Sequence, residues 1–505
     1  MSFKNIFSGT RHMIPRWFTY PTARWLGLLN GVQPPKDILS SIDFERSKAD
    51  WLNNNDKLIH ANEAVGNSIM LNRFNDPSIN EAAKFVLTNE NASQIARTMA
   101  NDYIFYSQGG VEPTPETYLP QATPAYFKII SNIKKQLIEY PKNYIKWAEL
   151  SFFYATIGQT EKAEKCMDIA ISGNSENRFI LLSASRYFMH SENQDRALYY
   201  LRKAANKLTD PWVISAEIAI SDTLGLGPKT YKQGNLLLES DKITDFHKSE
   251  LASAIGTIES KSGLIKSARK YMRTALINPT ENSIAQAVFL APNLGVFDLG
   301  QSLLNSKVSF EAESRLSFQA GKYRESLELV KKWLKFQPFS SRPAIMGSYI
   351  ASVALGDFEE GINIAKIGLL TSPHEFMLLN NLAFSLISLD RLPEAEEVLN
   401  RMPSTIQIKA ESAVFLATQG AFEFRSNRIE RGRELYQESI SIFTELKDEV
   451  SKALATYFWK REESRVKDDS WIDKVNYELN QLLKKTGLDE VKLFVNENEK
   501  KPQSE

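Results

Sequence analysis

Residues 378–399 read LLNNLAFSLISLDRLPEAEEVL, and their spacing decides the fold. The stretch predicts two short helices joined by a tight turn around Asp390. Small residues, Ala383 and Ala395, fall where the two helices would cross. Leu379, Leu382, Leu386 and Leu399 fall where they would seal a shared apolar face. The same skeleton recurs along most of the chain at about 34 residues, and a repeat of that length predicts a solenoid. One unit alone cannot bury its apolar face, so neighbouring units must stack.

The pattern is clearest when Trp147 is set as the fourth residue of a unit beginning at 144. Leu150, Tyr154, Gly158, Ala163, Met167 and Ala170 then fall at seven, eleven, fifteen, twenty, twenty-four and twenty-seven. Further units begin at 178 (Ala197, Leu201, Ala204), 249 (Gly256, Gly263, Ala268, Met272, Ala275) and 307 (Gly321, Pro338). Others begin at 342 (Gly356, Pro373), 376 and 413 (Gly420, Gly432, Tyr436). Small residues at eight, twenty and twenty-seven let helices approach closely. Gly or Asp at the turn closes the first helix, and Pro near the end stops the second. Over residues 110–446 the chain resembles the tetratricopeptide repeat (TPR) family. The resemblance implies an all-α fold: a right-handed α-solenoid of stacked helix-turn-helix units. Residues 212–248 and 283–306 depart from the pattern and are read as degenerate repeats or local breaks.

Two segments precede the array and two follow it. Residues 1–36 carry Lys4, Arg11, Arg16, Arg24 and Lys36, with no acidic residue. Phe3, Phe7, Trp17, Phe18, Tyr20 and Trp25 are interleaved, and four prolines favour extended backbone. This is an arm that lies on something. It either docks on the chain's own helices or contacts a partner, nucleic acid included, through Arg11, Arg16, Trp17, Arg24 and Trp25. Residues 37–109 are helical by period and form an N-terminal helical domain or divergent cap. Residues 447–487 predict C-terminal capping helices, and residues 488–505 a polar, disordered tail.

The 61 basic and 61 acidic side chains cancel, so no global field steers the chain to nucleic acid or an anionic membrane. Cys166 is the only cysteine, which excludes an internal disulfide and favours a reducing, cytoplasmic setting. No apolar run reaches the length of a membrane span.

Catalytic constellations are scarce. No two of His12, His60, His190, His247 and His374 share the i, i+4 spacing that would offer both to a metal. Cys166 reads as a buried structural thiol. The segment Gly225-Leu226-Gly227-Pro228-Lys229-Thr230 has an outline similar to a phosphate-binding loop. Pro228 lacks a backbone N–H and the leading glycine is missing, so the segment is read as a turn. We expect no enzyme, cofactor or metal.

If the resemblance holds, first helices line a concave groove. It implies that Phe152, Arg186, His190, Arg315, Phe318, Met346, Ile350, Asn380, Phe384 and Arg425 face a ligand there. Such a mixed lining suits a partner peptide or helix with apolar anchors and some acid. Phe384 and Ile350 are expected to be replaceable without unfolding. The lysine and asparagine of the family's carboxylate clamp are missing, and Asn380 stands alone. The expected function is a scaffold or adaptor. The alternative is a regulatory subunit that touches an enzyme, possibly a nuclease, or nucleic acid through the arm.

Overall fold

The computed structural model describes residues 11–29, 38–70, 73–108, 123–240, 243–295, 299, 306–403, 406–485, 491 and 494. All regular structure among them is helical. Phe3, Phe7, Phe297, Leu303, Gly487 and the tail expected to be disordered lie outside the described residues. The chain forms two compact units, residues 12–308 and residues 309–505, the second taking in Arg11.

In the 12–308 unit the arm is extended up to Thr19 and then forms one short helix, Tyr20–Trp25. Pro21 sits in its first turn, where a missing N–H costs nothing. Helices Ile38–Asn53, Leu58–Met70, Pro77–Thr88 and Gln94–Ser107 come next and share a core of Phe44, Trp51, Ala64, Ala83 and Tyr103. Asp76 opens the third of these helices, accepting from the Ser78 N–H at 3.0 Å and from Lys48 at 2.6 Å. After helix Thr123–Glu139 come the pairs Tyr144–Thr156 with Thr160–Gly173 and Arg178–His190 with Gln194–Lys203. Pro211–Thr223 with Tyr231–Leu238 and Asp245–Lys261 with Ile265–Ala275 complete the pairs, and helix Glu281–Leu294 stands last. The irregular stretch 212–248 thus keeps both helices, but the second is only 8 residues long.

The 309–505 unit stacks Phe310–Gln319 with Tyr323–Phe336, then Ser341–Tyr349 with Phe358–Thr371. Beyond them stand Phe376–Ser388 with Leu392–Leu399, Lys409–Arg425 with Ile429–Glu445, and Glu449–Val466 with Asp469–Leu483. The 376 pair meets its expectation closely: Ala383 and Ala395 are fully buried, Leu379, Leu382 and Leu386 are buried, and Leu399 is half-buried. The last pair contributes Leu454, Tyr457, Leu479 and Leu482 to a core that also holds Phe318, Trp333 and Tyr349. Phe494 closes over the same place, its ring 4.9 Å from that of Tyr323.

Position fifteen of each unit explains the turns. It lies in the left-handed region in Gly158, Gly263, Gly321 and Gly356, and equally in Glu192, Asp390 and Asn427. The next residue's N–H then reaches back to a carbonyl of the first helix, as from Gln159 to Tyr154 and from Arg391 to Leu386, both 2.9 Å. This is the Schellman closure, which satisfies carbonyls a helix end leaves orphaned. Glycine adopts it freely, whereas a Cβ there costs about 1–2 kcal/mol. Replacing Glu192 with glycine is therefore expected to stabilise the chain by about 0.5–1 kcal/mol, after allowing for glycine's larger unfolded entropy. A fall in the thermal midpoint of Glu192→Gly would contradict this account.

One turn differs. Between the helices of the 342 unit, Ile350–Ala354 winds as a π-turn, and the Asp357 N–H reaches Ala351 O at 2.7 Å. The wider turn presents Ser352, whose hydroxyl bonds that of Ser385 at 2.6 Å. A Cβ on Gly361 would lie 2.0 Å from Ser352 Oγ, so a side chain there would displace that hydroxyl from Ser385.

Candidate functional site

The first helices of four successive pairs in the 12–308 unit, together with helix Glu281–Leu294, carry one bound segment, and it is the chain's own arm. Trp17 is wholly buried, edge-on to Phe152 at 5.3 Å and to Tyr187 at 5.7 Å between ring centroids. Tyr20 stands edge-on to Phe179 at 5.2 Å. The Arg16 guanidinium forks onto Glu281, its Nε and Nη2 donating at 2.9 and 3.1 Å. His12 meets Asp222 at 2.8 Å, and Lys261 pairs with the same carboxylate. Burial pushes the Asp222 carboxyl up, but hydrogen bonds from His12 and Lys261 outweigh it and hold the group below its usual range.

The arm's main chain is held as firmly as its side chains. The Tyr20 N–H donates to Glu149 at 3.0 Å. Ile14 O accepts from Asn282 Nδ2 at 3.3 Å, and Leu28 O accepts from Arg178 Nη1 at 3.3 Å. Trp25 O accepts from Lys307. From His12 at Asp222, through Arg16 at Glu281 and Trp17 at Tyr187, to Tyr20 at Glu149, the arm ends nearest the earlier pairs. Arg24 lies over the Phe74 ring at 4.0 Å, and Trp25 lies beneath Lys307 at 5.4 Å. A cavity of about 400 Å³ remains between Met13, Phe18 and Leu28 of the arm and Trp212, His247 and Thr280 of the stack.

The residues expected to line a groove are spread over both units. Phe152 lies under Trp17. Arg186 is half-buried, and its guanidinium is pulled down to about 10, first by burial and then by the charge of Arg16. His190 is half-buried in the last turn of the same helix. In the 309–505 unit, Arg315 donates to Glu311 at 2.9 Å, and Arg11 donates to the same carboxylate at 3.0 Å. Phe318 packs against Tyr323 at 5.2 Å, and Met346 Sδ accepts from Ser314 at 3.9 Å. Ile350 is fully enclosed in the π-turn. It belongs to the core, so its replacement by alanine is expected to cost stability. Asn380 is buried, and its Oδ1 has no hydrogen-bond partner. Phe384 is half-buried between Phe358 and Phe458, at 6.1 and 4.9 Å. Arg425 pairs with Glu462 and, at 2.6 Å, with Asp390.

Sequence reasoning missed Glu149, Asp222 and Glu281. The usable signal was charge complementarity: an acid-free basic arm calls for acids on the face that holds it. Glu149 sits at unit position six, one turn before the expected groove residue Phe152.

The glycine-rich segment binds an anion after all, one supplied by the protein. Glu217 is 1% exposed and accepts from the N–H groups of Lys229 at 3.2 Å and Thr230 at 3.3 Å. The Thr230 hydroxyl (2.8 Å), Ser221 (3.0 Å) and Arg202 (2.9 Å) complete its shell. Burial raises the carboxyl, yet these bonds together hold it below the ordinary range. A lowered carboxylate gives stability that is complete above its unfolded value, about 4.3, and is lost as pH falls through its folded value. Acid unfolding of the 12–308 unit is therefore expected to steepen below about pH 4.3, and Glu217→Gln is expected to flatten that dependence. An unchanged acid titration in the variant would exclude Glu217 as its source.

Burial pushes the Cys166 thiol up to about 12, so it stays protonated near neutrality. Among the described residues no group of three or more His, Cys, Asp or Glu side chains could hold a metal ion.

Fold and site together define an all-α helix-pair repeat protein with a TPR-like build, whose first-helix face holds an extended segment. Among solved structures the chain is similar to the human IFIT1 dimer with PPP-AAAA, at 15% identity and a TM-score of 0.38, over 75% of this chain and 96% of that one. It is also similar to yeast Tom70, at 12% identity and a TM-score of 0.30, over 92% and 95%. Likeness at this level says nothing about ligands. No protein-family model matches the chain, and no curated relative matches it in sequence.

Proposed function

We propose that this chain is a non-catalytic interaction scaffold that binds an extended partner segment along the first helices of residues 144–294. The observation that carries this reading is the arm itself, seated extended on that face with Trp17 and Arg16 as its anchors. A face that orders an extended segment through an aromatic pocket, a carboxylate fork and main-chain contacts has the chemistry of a peptide-binding groove. The open cavity beside the arm leaves room for a partner's apolar anchor. The engagement of Arg16 and Trp17 within the chain supports this reading over a direct arm contact to an enzyme or to nucleic acid. A cytoplasmic setting fits the single buried thiol. No helix among the described residues is long and apolar enough to cross a membrane.

The test places a photo-crosslinking amino acid at Leu182, on the cavity wall, in the full chain with Arg16→Glu and Trp17→Ala in its arm, so that the arm does not hold the groove. In cell extract we expect crosslinks to one segment of a partner protein, mapped by mass spectrometry. Crosslinks only to residues 13–28 of the same chain would remove the partner reading.

A further inference from the structure

We infer that residues 12–28 are an exchangeable self-ligand: the same groove takes, in trans, an extended segment bearing an adjacent cation and aromatic ring, in competition with the arm. This rests on the groove reading above and adds the chemistry of the partner and the device that holds it off.

Three observations carry it. First, much of the arm's grip is blind to sequence. Glu149, Asn282, Arg178 and Lys307 each hold a main-chain group, at Tyr20, Ile14, Leu28 and Trp25, which any segment that takes the arm's shape, a short helical turn included, can offer. The contacts that read sequence centre on the Trp17 pocket, the Arg16 fork and the Tyr20 edge, flanked by His12 at Asp222 and Arg24 over Phe74. They specify a cation followed at once by an aromatic ring, with a second ring three residues on. Second, the groove is prepared for the arm's absence. Glu149 keeps Lys146 at 2.6 Å, and Asp222 keeps Lys261. Glu281 lies in the first turn of its own helix, where the N-terminal dipole favours an anion. A carboxylate that would otherwise be stranded on undocking makes a strand permanent, and these carboxylates have other support. Third, the fit is incomplete, with about 400 Å³ left unfilled along the arm.

A tethered ligand has an effective concentration of order mM, so a free peptide at micromolar concentration does not displace it from the intact chain. The test removes the tether. A protease site is placed at residues 31–36 of the full chain, the purified protein is cleaved, and a fluorescein-labelled peptide of residues 8–29 is added. We expect its anisotropy to rise after cleavage and not before, and a Trp17→Ala peptide to bind at least tenfold more weakly. We also expect the uncleaved chain to admit the labelled peptide once Arg16→Glu and Trp17→Ala are made in its own arm. Circular dichroism checks that each protein stays folded. If the cleaved arm stays bound and no labelled peptide enters over a day, the arm is a permanent strand and the inference fails. Unfolding on cleavage overturns it equally. Exchange without any partner crosslink at Leu182 would keep the exchangeable arm and remove the partner reading. Partner crosslinks without exchange would do the reverse.

Discussion

Replacing Trp17 with alanine is expected to lower the stability of the 12–308 unit by about 3–5 kcal/mol, the cost of emptying a wholly buried indole site. Phe152 and Tyr187 lose their edge contacts to Trp17 together. The arm then keeps its polar contacts but loses its largest apolar anchor, so undocking comes before the stack unfolds. The measured loss cannot exceed the free energy of docking the arm, because beyond that point the arm simply leaves. Urea titration of the full chain, monitored by tryptophan fluorescence and by circular dichroism, separates the two events. A loss below about 1 kcal/mol would mean that Trp17 adds little to the folded state, whatever its burial.

Glu463→Ala is expected to be as severe, about 3–5 kcal/mol, in the 309–505 unit. Glu463 has no exposure and accepts from Arg433 Nε at 2.8 Å, Arg433 Nη2 at 2.9 Å and the Trp459 indole N–H at 2.9 Å. Its loss strands a guanidinium that is 7% exposed, with Asp468 at 2.9 Å and Glu430 at 2.7 Å, the latter largely in solvent, as the remaining support. The Arg433 guanidinium is held above its usual range chiefly by the Glu463 bonds and stays charged in the variant, so it cannot escape by losing a proton. Glu463→Gln keeps one acceptor and should lose less. Replacing both partners with leucine should recover much of the loss, since a well-packed apolar pair avoids both desolvation costs. If Glu463→Ala unfolds at the wild-type midpoint, this pair is not what fastens the last helix pair to the Lys409–Glu445 repeat.

The fold was legible because its determinants are local. Ala383, Ala395 and the leucines around them report a helix crossing within twenty residues of chain. Position fifteen reports the turn, even where Glu192 or Asn427 replaces glycine, because its neighbours carry the period. The site was not legible in the same way. Periodicity marks which face of a helix turns inward, and Phe152 lies on that face, against Trp17. It cannot say what covers that face, because the cover arrives from a segment more than a hundred residues away. Ile350 is the same case: spacing placed it on an inward face, and the core of its own unit encloses it. Asn380 and Phe384 were assigned to a ligand on spacing alone, and Phe458 covers one of them from a helix that the repeat frame treated only as a cap.

The Arg16–Glu281 fork joins residues 265 positions apart, and it bears on how the chain is made. At about 5–20 residues per second, Glu281 leaves the ribosome roughly 15–50 s after Arg16. Throughout that interval Trp17, Phe18 and Tyr20 have no finished groove to enter. Contacts of such long sequence separation form late and slow the final step of folding. Synthesised well before its groove, the arm is thus among the last segments to find its place, and a growing chain of this protein presents an acid-free, aromatic stretch to whatever waits outside the exit tunnel.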